Sequence, residues 1–359
     1  MRITWKAASL CIISYQETAH AFTTSHIGKY IKGRPAFLTT TASQLAAKQA
    51  TNGDIVTLDI QLTPTNFVPG ETLFDTEGAV KFVLGGGGHL PGLHEAVLGK
   101  EAGDEISDCT IDAGYGAANP ENIMTVPQSN APGSTEMKVG MELYLQNGMK
   151  VCVTEVDDDK KTFTIDANPP LAGSAFSAAI KVTAVDAPEK FETATFALGC
   201  FWGGELAYMR EPGVVGTKVG YTQGEKVDPT YQEVCSGSTG HTEAIQIVFD
   251  PDMVSFRRLC ELAVDRLSAS GSIYLKDQVG NDRGTQYRHG IYYHNEEQRI
   301  IAKEILDGIT PRVGDGVECQ TELEAASVWY DAEDYHMQYL LKGGQSAKKG
   351  ATETIRCYG

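Results

Sequence analysis

A cysteine between a short strand and a helix-like segment is the feature that most constrains the second half of the chain. Residues 195–198 read as a short strand, the following residues are Gly-Cys-Phe-Trp-Gly-Gly-Glu, and residues 206–210 have helix-forming side chains. Backbone N–H groups at the start of a helix, together with the helix dipole, stabilise a thiolate. We therefore predict an α/β unit that presents Cys200 as a reactive thiol beside two aromatic rings.

Three further segments carry groups that a thiolate could use in catalysis. Tyr231 opens the run Tyr-Gln-Glu-Val-Cys, and Glu243 precedes an alternating strand at 244–248. Asp282 and Tyr287 lie in Gly-Asn-Asp-Arg-Gly-Thr-Gln-Tyr-Arg. Each residue alone has an ordinary interpretation, a surface carboxylate for Glu243 and amphipathic core edges for the two tyrosines.

Together these segments resemble the A-type peptide-methionine sulfoxide reductases over about residues 192–359. The matching motifs are G-C-F-W-G, Y-x-E-V-C-S-G, G-H-x-E-A and G-N-D-x-G-T-Q-Y-R, in family order. The resemblance implies reduction of the S epimer of methionine sulfoxide, free and in proteins. It also implies no bound cofactor and thioredoxin as reductant.

The residue types suggest how such a site would work. A sulfoxide sulfur is a weak electrophile until its oxygen is protonated, and a partly buried Glu243 can remain a carboxylic acid near neutral pH. Tyr231 and Tyr287 would hold the oxygen through their hydroxyls, supported by Asp282. Cys200 would attack the sulfur and be left as a sulfenic acid.

The resemblance assigns the remaining site residues as well. Phe201 and Trp202 would pack the substrate's S-methyl group, and Cys357 would condense with the sulfenic acid to form a disulfide. The plant-type members carry a further tail cysteine where this chain has Ala351. Cys235 is the reserve candidate for the resolving thiol; otherwise Cys235, like Cys260 and Cys319, is expected to be a core residue.

Residues 53–186 have the composition of a β-rich domain with one short helix. Apolar and polar residues alternate over 55–62, a second strand is predicted at 80–84, and a helix at 92–98. Asn147-Gly148 separates two apolar runs and predicts a tight hairpin. His89 and His94 are five residues apart, which is the wrong spacing for two metal ligands on one helical face.

This region resembles the FKBP-type peptidyl-prolyl isomerases, in the SlyD-like branch with an inserted β flap near 120–168. The markers are L-F-D at 73–75, H-L-P-G-L at 89–93, G-D at 103–104, D-A-G-Y-G at 112–116, V-G-M at 139–141 and N-P-P-L-A-G at 168–173. The resemblance implies an apolar pocket for proline formed by Phe74, Asp75, Leu90, Leu93 and Tyr115.

The predicted proline pocket departs from the family at three positions. Ile60, Val80 and Ala178 stand where the family usually has aromatic residues, so the pocket has fewer rings with which to hold proline. Two interpretations remain open: a working isomerase, or a binding or chaperone module of the same fold.

Charge separates the first fifty residues from the rest. They carry six basic residues and one acid, +5, whereas the whole chain has 30 basic and 47 acidic residues, −17, which leaves −22 for the remainder. A basic, hydroxyl-rich segment that follows a short apolar run and Ala19-His20-Ala21 is typical of a bipartite leader into a plastid. Simple secretion and a plain tail are the alternatives. The acidic remainder argues against a nucleic-acid coat or an anionic membrane as partner.

We therefore predict an α+β chain with a leader at 1–50, an antiparallel FKBP-like domain at 53–186 and a two-layer reductase domain at 191–359. The first domain would present oxidised or partly unfolded client proteins to the second. A thiol redox sensor with a non-catalytic peptide-binding module is the alternative function. No metal site is predicted.

Overall fold

A computed structural model describes residues 48–65, 73–87, 89–131, 136–144 and 150–356, in a mixed α+β architecture. The predicted leader, apart from residues 48–50, lies outside the described residues. The strands are β1 Ile55–Pro64, β2 Glu77–Val83, β3 Glu105–Asp112, β4 Ile123–Pro127, β5 Glu142–Tyr144, β6 Lys150–Asp157, β7 Thr162–Asp166, β8 Ala175–Asp186, β9 Glu192–Leu198, β10 Val214–Thr222, β11 Thr242–Phe249, β12 Gln278–Val279, β13 Asp282–Arg283, β14 His289–Tyr293, β15 Glu322–Ala325 and β16 Tyr330–Asp331. The α-helices are α1 Pro91–Val97, α2 Phe201–Arg210, α3 Tyr231–Cys235, α4 Phe256–Ala269, α5 Glu296–Asp307 and α6 Tyr339–Lys342.

The N-terminal half, β1 to β8, is built on an antiparallel sheet in the order β2-β1-β8-β3. Burial alternates along β1 from Leu58 onwards, as predicted, because one face of the sheet packs on the core and the other faces outward. The helix α1 packs under β3 at Gly92, where a Cβ would lie 1.8 Å from the Asp112 carbonyl oxygen. Only glycine allows that approach.

A second antiparallel sheet, β4-β7-β6-β5, is inserted between β3 and β8. It has its own buried cluster, which is separate from the core of the first sheet. The predicted hairpin turn at Asn147-Gly148 lies outside the described residues, although the flanking strands β5 and β6 pair antiparallel. The members of the cluster are Met137, Leu143, Val151, Val153, Phe163 and Ile165.

The C-terminal half, β9 to α6, contains a six-stranded sheet in the order β15-β14-β9-β11-β10-β16. Only β14 and β15 run parallel. The helix α2 packs on β10 and β11, and α4 and α5 contact each other. The helix α2 starts at Phe201, five residues before the helix-like segment predicted from residue 206. Gly203 and Gly204 are part of this helix, at the point where it crosses β11.

The cysteines are less buried than the sequence suggests. Among the described residues only Cys260 is fully buried, whereas Cys235 and Cys319 are half-buried. The expected core position is therefore found for Cys260, while Cys319 packs only partly buried against the same core cluster and Cys235 is outside it.

The two halves of the chain are in direct contact. The Lys81 ammonium lies 2.7 Å from a carboxylate oxygen of Asp250. Leu206 and Met209 from α2 and Leu341 from α6 belong to the same buried cluster as the first sheet. Within the described part of the chain, no helix has the length and apolar character needed to cross a bilayer.

Candidate active site

Cys200 stands at the junction between β9 and α2, where it is the N-cap residue of the helix. The preceding Gly199 has φ +72°, and a Cβ there would lie 2.5 Å from Cβ of Val279. Both facts require glycine. Cys200 is half-buried. As the N-cap residue it lies at the positive end of the helix dipole, where a thiolate is stabilised.

Glu243 lies on β11 and is only 1% exposed. Its Oε2 accepts a hydrogen bond from the backbone N–H of Phe201, at 3.1 Å. Burial raises the pKa of this carboxyl to about 8, and the nearby charge of Asp282 contributes in the same direction. Glu243 is therefore protonated at neutral pH, next to the residue that follows Cys200, and can donate a proton.

Two phenols lie within electrostatic range of this carboxyl. Tyr231 begins α3, and its N–H donates to Oε1 of Glu333 at 3.0 Å. Tyr287 ends a single 3-10 turn, Thr285–Tyr287. Burial raises the pKa of both phenols, and so does the charge of Glu243. The two hydroxyls consequently remain protonated donors throughout the physiological range.

Asp282, on the short strand β13, completes the predicted cluster. Partial burial raises the pKa of its carboxyl. Its charge acts on both Glu243 and Tyr287, and the charge of Cys200 acts on Tyr287. The structure thus brings together the predicted thiol, carboxyl groups and phenols from four separate segments.

The predicted aromatic wall is present, but its two members differ in exposure. Phe201 is buried, whereas Trp202 is half-buried. The indole of Trp202 stacks on the ring of Tyr339 at a centroid distance of 4.0 Å and an interplanar angle of 14°. This pair forms an apolar surface near Cys200.

Four further residues contact this site and were not predicted from the sequence: Tyr221, Glu333, His336 and Tyr339. The indole N–H of Trp202 donates to Nδ1 of His336 at 3.2 Å, and Tyr221 donates to Glu333 at 2.8 Å. Burial lowers the pKa of His336, so its ring is neutral. No helical spacing in the sequence links Glu333, His336 and Tyr339, because α6 begins only at Tyr339 and the preceding residues form turns.

The two candidate resolving thiols differ in what the structure describes. Cys235 ends α3 and bonds with the Tyr231 side chain, and burial raises the pKa of its thiol. Cys357 lies outside the described residues. Its neighbour Arg356 is held at both backbone groups by Gln345, whose amide oxygen accepts the Arg356 N–H at 2.9 Å and whose amide nitrogen donates to the Arg356 carbonyl.

Four of the five residues predicted for a proline pocket line a cavity of about 240 Å³. These are Phe74, Asp75, Leu90 and Tyr115. Leu93 does not line it: this residue is 0% exposed and packs in the core beneath the sheet. The prediction that Leu93 lines the pocket is therefore wrong, because the helix α1 directs this side chain to the core cluster rather than to the cavity. The opposite wall comes from the C-terminal half and includes Met209, Leu341, Ala347 and Lys349.

His89 and His94 are buried in the core of the N-terminal half. His89 bonds to the Asp75 carbonyl and His94 accepts the Gly85 N–H. No group of three His, Cys, Asp or Glu side chains converges as a metal site in the described part of the chain.

Residues 192–356 match the family model "Peptide methionine sulfoxide reductase". The chain is 43% identical over 193 residues to peptide methionine sulfoxide reductase A2-1 of Oryza sativa subsp. japonica, which spans 54% of this chain and 96% of that protein. It is 44% identical over 171 residues to peptide methionine sulfoxide reductase A4, chloroplastic, of Arabidopsis thaliana, or 46% of this chain and 64% of that protein.

Among solved structures, the methionine sulfoxide reductase A of Corynebacterium diphtheriae is 37% identical, with a TM-score of 0.39. The match covers 43% of this chain and 75% of that one.

Proposed function

Because this chain belongs to the peptide methionine sulfoxide reductases, we propose that Cys200 reduces the S epimer of methionine sulfoxide, free and in proteins. The observation that carries this assignment is the pairing of Cys200 with Glu243. A thiol at a helix start and a carboxyl with a pKa of about 8 supply the nucleophile and the acid that sulfoxide reduction requires.

The first half of the cycle uses the acid, the phenols and the thiolate. The sulfoxide oxygen sits between the hydroxyls of Tyr231 and Tyr287 and takes a proton from Glu243. The Cys200 thiolate attacks the sulfur of the protonated sulfoxide, and a bond forms between the two sulfur atoms. The hydroxyl group then moves from the substrate sulfur to the Cys200 sulfur as the bond between the two sulfurs breaks. The products are methionine and a sulfenic acid at Cys200.

The substrate's methyl group packs against the aromatic wall. Phe201 closes the wall from the core, and the stacked pair of Trp202 and Tyr339 presents its outer part. Burial of one methyl group on rings is worth about 0.8 kcal/mol, which favours methionine over polar side chains.

The second half of the cycle removes the sulfenic acid. The Cys357 thiol condenses with it, a disulfide forms and water leaves. Thioredoxin then reduces the disulfide by thiol–disulfide exchange, and its own two thiols are oxidised. No bound cofactor takes part. Cys235 is the reserve resolving thiol, supported by its hydrogen bond to Tyr231 within the site.

The chain divides into an FKBP-like domain at 53–186 and the reductase domain at 191–359. The inserted flap sheet, with a core of its own, supports the first assignment. The flap presents oxidised or partly unfolded clients to the reductase through its exposed apolar residues Ile123 and Val139. Prolyl isomerisation is a secondary activity of this domain at most, since its pocket lacks the usual rings at Ile60, Val80 and Ala178.

The mature protein acts in a plastid. Two of the relatives carry the word chloroplastic in their names, and the first fifty residues have the basic, hydroxyl-rich composition of a leader. Removal of that leader changes the formal charge from −17 to −22.

A thioredoxin-coupled assay on the separate S and R sulfoxide epimers tests the function. We expect turnover of the S epimer alone, and none with Cys200→Ser. Turnover by that variant would overturn the assignment of the nucleophile. Glu243→Ala should abolish sulfoxide reduction; a loss confined to peroxide turnover would instead identify a redox sensor.

A further inference from the structure

The cavity of the N-terminal half is completed by the chain's own reductase segment. Leu341 of α6 and Ala347, six residues later, stand on the wall opposite Phe74 and Leu90. Leu341 is 3% exposed and shares one buried cluster with these two residues. The apolar wall that would face an incoming peptide is therefore already covered.

The polar groups at the rim of the cavity are also satisfied from within the chain. The Tyr115 hydroxyl donates to Oε1 of Gln338 at 2.7 Å. The Ala347 N–H donates to the carbonyl oxygen of Leu73, also at 2.7 Å. A peptide ligand would have to displace both bonds before it could bind there.

The segment that follows α6, residues 344–356 (the arm), is held along its length on the reductase side as well. The Lys349 ammonium donates to the carbonyls of Met209 and Val214, each at 2.7 Å, although Lys349 as a residue is exposed. The Gly350 N–H donates to the carbonyl of Arg210, whose guanidinium donates in turn to backbone carbonyls of the arm. These bonds lie at the end of α2, the helix that begins beside Cys200.

The arm ends at Arg356, directly before Cys357. Gln345, two residues before the Ala347 contact, holds both backbone groups of Arg356. The contact with the N-terminal half therefore lies two residues from the side chain that holds Arg356 in place.

We propose that the cavity of the N-terminal half is a docking site for the arm and positions Cys357 for the recycling half of the reaction. This proposal rests on the proposed function, in which Cys357 condenses with the sulfenic acid at Cys200. In that step the Cys357 sulfur bonds to the Cys200 sulfur, and the sulfenic oxygen leaves as water. Ala347, Leu341 and Gln338 are positioning residues for it, and none of them touches the substrate.

Ala347→Glu in the full chain tests the docking, because it places a longer, charged side chain where Ala347 packs partly buried against the core cluster of the first sheet. Thr352→Glu is the matched control, since it adds the same charge to an exposed position of the same arm. Turnover is measured with thioredoxin, which requires the disulfide, and with dithiothreitol, which reduces the sulfenic acid directly. Hydrogen exchange reports the Ala347 and Gly350 amides.

For Ala347→Glu we expect exchange of the Ala347 amide to become at least tenfold faster. Thioredoxin-driven turnover should fall about fivefold or more, with dithiothreitol-driven turnover within twofold of the wild type. Thr352→Glu should change none of these. Faster exchange with unchanged thioredoxin-driven turnover would overturn the positioning role, and unchanged exchange would overturn the docking itself.

A second variant covers the case in which Ala347→Glu does not fold. Gln338 has φ +54°, which asparagine tolerates well, so Gln338→Asn keeps the backbone but withdraws the amide from Tyr115. We expect the same selective loss, in smaller measure. Cys357→Ser separates the two proposals: full thioredoxin-driven turnover by that variant overturns the role of Cys357, whatever the arm does.

Discussion

At the scale of single residues, burial gives the site its chemistry. Glu243 is 1% exposed and accepts one backbone hydrogen bond. One neutral donor does not replace the solvation of a carboxylate, so the protonated form is favoured. The same burial that disfavours ionisation of Glu243 keeps Tyr231 and Tyr287 protonated, so three proton donors converge near Cys200.

Glu243→Gln should reduce kcat/KM for S-sulfoxide by roughly 10²–10⁴-fold, because the amide cannot transfer a proton. The pKa of about 8 also gives the sign of the pH dependence. Glu243 is active when protonated, so the wild-type rate should fall as pH rises through about 8. Profiles of kcat/KM between pH 6 and 9.5 measure this limb.

Glu243→Asp is the control for that profile, since it retains an acid of shorter reach. It should be slower than the wild type but keep a high-pH limb, which Glu243→Gln should lose. A limb that persists unchanged in Glu243→Gln would assign it to another group.

The sequence motifs predicted that Cys200, Glu243 and the two tyrosines share one site, because these residues lie in short continuous motifs. They did not identify His336, which reaches the site through a hydrogen bond from Trp202, 134 positions away in the chain. A contact of that span depends on how α2 packs against the loop before α6, and no local pattern contains that information.

At the scale of elements, the close packing of α2 on β11 holds Cys200 next to Glu243. Gly204 lies where the helix crosses the sheet, and a Cβ there would be 2.6 Å from Cδ1 of Ile245. Any larger residue must push the helix away from the strand. The distance between Cys200 and Glu243 therefore depends on the absence of a side chain at position 204.

Gly204→Ala should lower the free energy of unfolding by about 1–3 kcal/mol, measured by urea denaturation at pH 7. The matched test is the double variant Gly204→Ala with Ile245→Val, since valine lacks the Cδ1 atom that clashes. We expect it to recover most of the loss. If the loss of unfolding free energy in the double variant equals the sum of the losses in the two single variants, the clash is not the cause.

The predicted strands at 55–62 and 244–248 agree with β1 and β11, because alternation reports a sheet with one face on the core. The predicted start of α2 was wrong by five residues. Adjacent glycines argue against a helix on propensity alone, but here their small size is what the packing of the helix requires.

At the scale of the whole molecule, the two halves pack against each other and contribute residues to one buried cluster. The Tyr115–Gln338 hydrogen bond joins residues 223 positions apart. Each half could be given a family resemblance from its own motifs, but the covering of the cavity by α6 and the arm could not be predicted from them. This contact depends on how the surface of the N-terminal half fits the surface of α6 and the arm. The sequence of either surface alone does not show which partner it packs against.

The flap sheet is the part of the N-terminal half that can be removed without opening the shared core. Its buried cluster is its own, and its two ends meet where the Asn119 N–H donates to the side chain of Asn168 at 2.8 Å. A short glycine linker in place of residues 120–167 should therefore close without strain. If the flap presents clients, this variant should reduce free methionine S-sulfoxide within twofold of the wild-type kcat/KM.

On an oxidised, unfolded protein the same variant should be about fivefold slower or more, because a captured client no longer has a raised local concentration at Cys200. Thioredoxin-coupled turnover on both substrates measures the difference. The double substitution Ile123→Ser and Val139→Ser, at two exposed flap positions, is the matched control that leaves the sheet in place and should show the same selective loss. Equal rates on the protein substrate for the variants and the wild type would remove the flap from client capture and leave the N-terminal half only its contact with the arm.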